Sequence, residues 1–144
     1  MRRFIKVFLV LFFIALIAIQ FIKVDRTNPP ITGEINAPEK VKVIFKEACW
    51  DCHSNETKWP WYSYIAPVSF FIESDVSEGR KHLNFSEWEK YNDRRKSRKK
   101  EEIWEQVNNG DMPMKTYTYL HPKSNLDYTQ KSIIKDWSTK KVQW

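Results

Sequence analysis

The chain has 144 residues, with 24 Lys and Arg against 18 Asp and Glu and a formal net charge of +6. That length allows one domain plus an accessory segment. Arg2, Arg3, Lys6 and Lys23 flank a single apolar stretch and supply four of the positive charges, which leaves +2 for the rest and argues against a nucleic-acid partner.

The accessory segment is the first one, MRRFIKVFLVLFFIALIAIQFIKV. Its apolar run is unbroken from Val7 to Ile19 and resumes at Phe21 and Ile22. A helix over Phe4–Val24 measures about 31 Å, enough to cross a hydrocarbon core. The basic residues precede the span, so the N-terminus is expected to stay in the cytoplasm with everything after Val24 exported. A cleaved signal releasing a soluble exported domain is the alternative. However, Ala15 and Ala18 do not give the A-x-A spacing of a cleavage site. Residues 1–24 are therefore expected to form an uncleaved signal anchor.

Residues 25–37, DRTNPPITGEINA, have no apolar period and are expected to be a linker lifting the following domain off the membrane. Pro38 suits a helix start, and Val41, Ile44, Phe45 and Ala48 form one stripe running into Cys49. Pro60 and Pro67 make the next stretch irregular; a short helix over Val68–Val76, ending near Gly79, is expected after it. Ser86 with Glu89 has capping-box spacing ahead of a further helix. A helical face at Ile103, Trp104 and Val107 closes at Gly110. A last helix starts near Asp127, boxed by Gln130, and buries Ile133, Ile134 and Trp137. TYTYL at 116–120 is the nearest approach to a strand, and it is short. Residues 38–144 are thus expected to form a small all-α domain of four or five helices, whose long loops need something to pack around.

CWDCH, Cys49 to His53, supplies that object. Two cysteines three apart serve thiol redox, zinc binding or covalent haem attachment. Zinc needs four ligands, and no second cysteine pair exists. A thioredoxin-type motif sits in an α/β fold, for which there is no βαβ pattern. The pattern C-x-x-C-H is that of haem c: Cys49 and Cys52 bond two vinyl groups and His53 binds iron, with Trp50 and Asp51 as spacers. Export to an oxidising compartment also argues against two idle thiols.

Haem iron in an electron carrier is normally held on both faces. Met112 stands in NNGDMPMKTY, between a helix-ending Gly110 and Pro113, where a stiffened loop can present a thioether. Met114 and His121 are the alternatives. A lone methionine is ordinarily core filler; the need for a ligand and the Met-Pro loop reverse that here. His82 fits a surface or hydrogen-bonding role better. Trp61 and Tyr62 are candidates for packing on the porphyrin, with ordinary core packing an equal alternative; Asn55 and Arg80 could reach its propionates, but a surface role fits each better. RRKSRKK at 94–100 fits a solvated helix face beside Glu101 and Glu102 better than a docking patch.

The segments CWDCHSNETKWPWY, APVS, DVSEGRKHLNFSEW, NNGDMPMKTYTYLHP and the closing Trp137 resemble the small bacterial haem-binding domain family related to cytochrome c. The similarity runs from about Pro38 to Trp137; Lys123-Ser124 departs from the small residues usual after the HP pair. The resemblance implies one haem c on Cys49, Cys52 and His53, a Met-Pro loop at Met112, and a cytochrome c-like helical domain. The expected function is single-electron transfer, not catalysis, by a protein anchored in a bacterial inner membrane. Its domain would face the periplasm and meet a redox protein partner there or in the membrane. The alternatives are a haem sensor or peroxidase-like enzyme with an open or displaceable sixth position, and a haem-free C-x-x-C thiol oxidoreductase.

Overall fold

In the computed structural model, which describes residues 1–139, every regular element is helical. Helix α1 (Arg2–Ala18) continues through a 3-10 turn, Ile19–Phe21. The combined stretch Arg2–Phe21 has a mean hydropathy of 2.7, none of it is buried, and it is long and apolar enough to cross a membrane. Helices α2 (Glu39–Ala48) and α3 (Trp50–His53) follow, separated by Cys49 alone. Next come α4 (Val68–His82), α5 (Asp93–Asn109), α6 (Lys115–Leu120) and α7 (Tyr128–Thr139). The all-α expectation holds among the described residues, where β pairing is confined to one isolated bridge, Gly33 to Glu87.

The stripe expected on α2 is the buried one: Val41, Ile44, Phe45 and Ala48 all face inward. Phe45 and Phe85 stack at 4.8 Å, Trp50 stacks on the same Phe85 at 5.4 Å, and Trp137 meets Phe45 edge-on at 5.3 Å. Such pairs add roughly 0.5–1.5 kcal/mol each beyond the area they bury. Ile103 and Val107 of α5 and Ile134 of α7 complete the core. The cap of α7 is also as expected: Asp127 N–H donates to Gln130 Oε1 at 3.0 Å and Gln130 N–H to Asp127 Oδ1 at 2.7 Å.

Three expectations differ from the structure. The stretch 25–37 is irregular but does not hold the domain away from α1. Ile35 is completely buried, its N–H donates to Phe85 O at 2.8 Å, and Thr32 and Gly33 N–H donate to Ser86 O. Those backbone groups needed partners, and the domain surface supplied them. Helix α4 runs past Gly79 to His82. Ser86 caps no helix; it is buried, and Asn92 caps α5 by accepting from Arg95 N–H at 2.9 Å. TYTYL, the nearest approach to a strand in the sequence, lies in helix α6, in line with the all-α expectation.

Candidate functional site

The turn that carries the cysteines is fixed from behind. His53 N–H donates to Cys49 O at 3.0 Å, and Phe85 N–H donates to His53 O at 2.7 Å. Gly79 lies so close that a Cβ there would come within 2.6 Å of Cys52 O. The helix therefore needs glycine at this position to let α4 touch the α3 backbone. This approach places the Gly79 and Leu83 carbonyls 3.0 and 3.1 Å from His53 Nδ1. Carbonyls only accept, so Nδ1 carries the proton and Nε2 keeps its lone pair. Burial lowers the His53 pKa against the opposing effect of those two carbonyls. The ring is thus a neutral, oriented donor, the form in which a histidine binds a metal.

Cys49 and Cys52 are free thiols. Burial pushes the Cys49 thiol up to about 12, reinforced by Cys52; burial also pushes Cys52 up to about 12, reinforced by Asp51 and Asp75. A catalytic redox thiol needs the opposite shift.

A second segment approaches the same place. Gly110 adopts φ +78°, the left-handed conformation that ends α5, and Asp111 and Met112 N–H both turn back to Gln106 O at 3.0 and 3.2 Å. Between this loop, α5, α3 and α4 lies a cavity of about 480 Å³. Cys49, Cys52, His53, Met112 and Met114 all line it, with Ile103, Val107 and Phe85 among its apolar walls. Its size suits a cofactor, and the donors converge on it.

Other expected residues are elsewhere. Trp61 is 74% exposed, and neither it nor Tyr62 lines the cavity, so the structure lends no support to porphyrin packing by either. Tyr62 OH instead lies 2.6 Å from His121 Nε2, and His121 stacks on Tyr117 at 4.4 Å. Thus engaged and outside the cavity lining, His121 is not positioned as an iron ligand. His82 lines the cavity but belongs to α4, the helix that holds His53.

Asn55 and Arg80 are not directed at a propionate either. Asn84 Nδ2 donates to Asn55 Oδ1 at 2.8 Å, Asn55 N–H to Ser86 Oγ at 3.0 Å, and Asn55 Nδ2 to Pro30 O at 2.9 Å. Arg80 donates to Ser54 O, Thr27 O, Asn28 Oδ1 and Thr57 Oγ1. In the basic run, Lys96 pairs with Glu89, Arg98 and Lys99 with Glu102, and Lys100 lies over Trp137. The helix-face reading fits that pairing.

Sequence reasoning missed three residues. Asp51 is no mere spacer: Tyr117, which lines the cavity, donates to its Oδ2 at 2.8 Å, and Lys58 N–H donates to its Oδ1 at 3.1 Å. Trp50 is core, with its Nε1 donating to Glu56 at 2.9 Å. Gly79 looked like a helix stop. The Tyr117 and Asp51 partners are 66 positions apart, so no local pattern announced them.

The model of a family described as haem-binding domain matches residues 14–140. The chain belongs to that family. No curated protein and no solved structure matched it. The match spans all of the cavity lining and the packed stretch 25–37. Haem is therefore the cofactor against which this cavity is to be judged, and the donor set fits it: two thiols, a neutral imidazole and two thioethers lining one largely apolar space.

Proposed function

We propose that this haem-binding protein is a membrane-anchored, monohaem electron carrier of cytochrome c type. The carrying observation is the convergence of Cys49, Cys52, His53 and Met112 on one cavity. Haem, when bound, would supply an iron that gains and loses one electron. Cys49 and Cys52 would hold it through thioethers, His53 Nε2 would be one iron ligand and Met112 Sδ the other; Met114, on the same wall, is the alternative.

What the chain itself contributes is fixity. The two carbonyls behind His53 set its tautomer and keep Nε2 aimed. The apolar walls exclude water, and a thioether ligand favours the reduced iron relative to bis-histidine ligation. Both features suit an outer-sphere carrier that makes no substrate bond. The raised thiol pKa values count against the thiol oxidoreductase alternative. The basic residues Arg2, Arg3 and Lys6 at the start of α1, ahead of its apolar run, support a periplasmic domain, and the redox partner is a protein there or in the membrane.

The test uses the purified full chain loaded with haem. A red-edge absorption band of methionine–iron ligation, lost in Met112→Ala but kept in Met114→Ala, is expected. Ferrous protein should bind carbon monoxide slowly and the Met112→Ala variant quickly. Rapid binding by the wild type would favour the sensor or peroxidase-like alternative.

A further inference from the structure

Trp61 faces solvent, and it has company. Tyr64, Ile65, Val68 and Phe71 are also exposed, and all five lie between positions 61 and 71. The turn Trp61–Tyr64 packs against α4, on which Val68 and Phe71, three apart, share a face. Further along α4 the exposed positions become polar, at Ser74, Asp75 and Glu78. A contiguous apolar patch of this kind marks an interaction surface.

Its neighbour identifies the occupant. Gln20, near the end of the apolar N-terminal helix, grips both backbone groups of Ala66: its Nε2 donates to Ala66 O and its Oε1 accepts from Ala66 N–H, each at 3.0 Å. Ala66 lies within the patch segment, directly after Ile65. Arg26 adds a second tie, donating to Ser63 O at 3.1 Å with its guanidinium 4.4 Å over the Tyr64 ring. The end of α1's apolar surface, Phe21 and Ile22, is exposed too. The patch is therefore held level with the end of the span. Trp and Tyr are the residues enriched at that level of a bilayer, and Lys23 and Arg26 place cations where headgroups are anionic.

We propose that the haem-binding domain lies on the bilayer surface, with lipid covering Trp61, Tyr64, Ile65, Val68 and Phe71. This rests on the reading of α1 as a membrane anchor. One consequence concerns the haem. Helix α4 starts in the patch and ends at the cavity, and its 15 residues span about 22 Å. The cavity wall at His82 is held within about that distance of the patch, close enough to the bilayer to meet a membrane-bound partner.

The test reconstitutes the full haem-loaded chain in vesicles of phosphatidylethanolamine and phosphatidylglycerol, with photoreactive benzoylphenylalanine replacing Trp61, Phe71 or, as control, Tyr128. Tyr128 is exposed, on α7, outside the patch. Illumination should attach lipid several-fold more at Trp61 and Phe71 than at Tyr128, read by mass. The double variant Ile65→Asp with Val68→Asp should cut the Phe71 yield several-fold while leaving the haem spectrum unchanged. Equal yields at all three positions, no lipid at Trp61 and Phe71, or chain-to-chain adducts instead would overturn the proposal. An alkaline carbonate wash of the same vesicles separates the two readings. A chain that stays with the lipid but gives no adducts sinks only the surface docking; a chain that washes off sinks the anchor.

Discussion

The cavity has two unlike walls. On one, formed by α3 and α4, His53 is bonded through its backbone N–H, its carbonyl and its ring, and stands on a stack of Trp50, Phe85 and Phe45. On the other, Met112 hangs from a loop whose backbone is tied to Gln106 and whose chain direction is set by Gly110. The first wall is over-determined and the second lightly held. The difference shows how such a chain can fix His53 rigidly while leaving Met112 replaceable without loss of the fold.

The largest test of that contrast is Phe85→Ala, which removes the ring shared by both stacks. It should cost about 3–5 kcal/mol in denaturant unfolding. A cost below about 1 kcal/mol would show that the aromatic stack does not support the histidine wall. Next comes Gly79→Ala, whose methyl would meet the Cys52 carbonyl. About 1–3 kcal/mol of destabilisation is expected, with reduced haem incorporation. An unchanged melting temperature would mean that α3 and α4 do not approach as closely as described.

How much of this contrast was legible in the sequence follows from what is local. The α2 stripe, the Asp127–Gln130 box and the end of α5 at Gly110 are each written within a few residues, and each formed as expected. The C-x-x-C-H pattern and the Met-Pro loop pointed to residues that do line one cavity. What failed to show was everything made by distant partners. Arg80 and Asn55 looked like free polar side chains because partners such as Thr27, Asn28 and Asn84 lie more than two dozen positions away. The stretch 25–37 looked like a linker because its one buried apolar residue, Ile35, sits in a run without period. The exposure of Trp61 left no local sign either, since an aromatic facing outward and one facing a cofactor read alike in sequence.

A smaller effect probes the joint between the walls, where Tyr117 bonds Asp51. Burial and this carboxylate raise the Tyr117 pKa. A folded-state value above the ordinary tyrosine value of about 10 contributes stability below pH 10 that is lost as pH rises from there through the folded value. Tyr117→Phe should therefore flatten the alkaline loss of stability and cost roughly 1 kcal/mol at neutral pH. An alkaline profile identical to the wild type would remove Tyr117 from the joint.

The smallest stability effect belongs to the methionine wall. Met112→Ala in the haem-free chain should cost under about 1 kcal/mol, because the side chain is only partly buried and stands outside the core cluster. Its consequence should appear in the haem spectrum instead. A loss of several kcal/mol would make Met112 a packing residue and erase the contrast between the walls.

The central claim is that Cys49 and Cys52 hold one haem covalently. Intact mass of the acid-denatured full chain tests it directly. The account predicts the polypeptide mass plus one haem in the wild type, and polypeptide alone in the Cys49→Ser, Cys52→Ser double variant. A wild-type chain that loses its haem entirely on denaturation would contradict the claim.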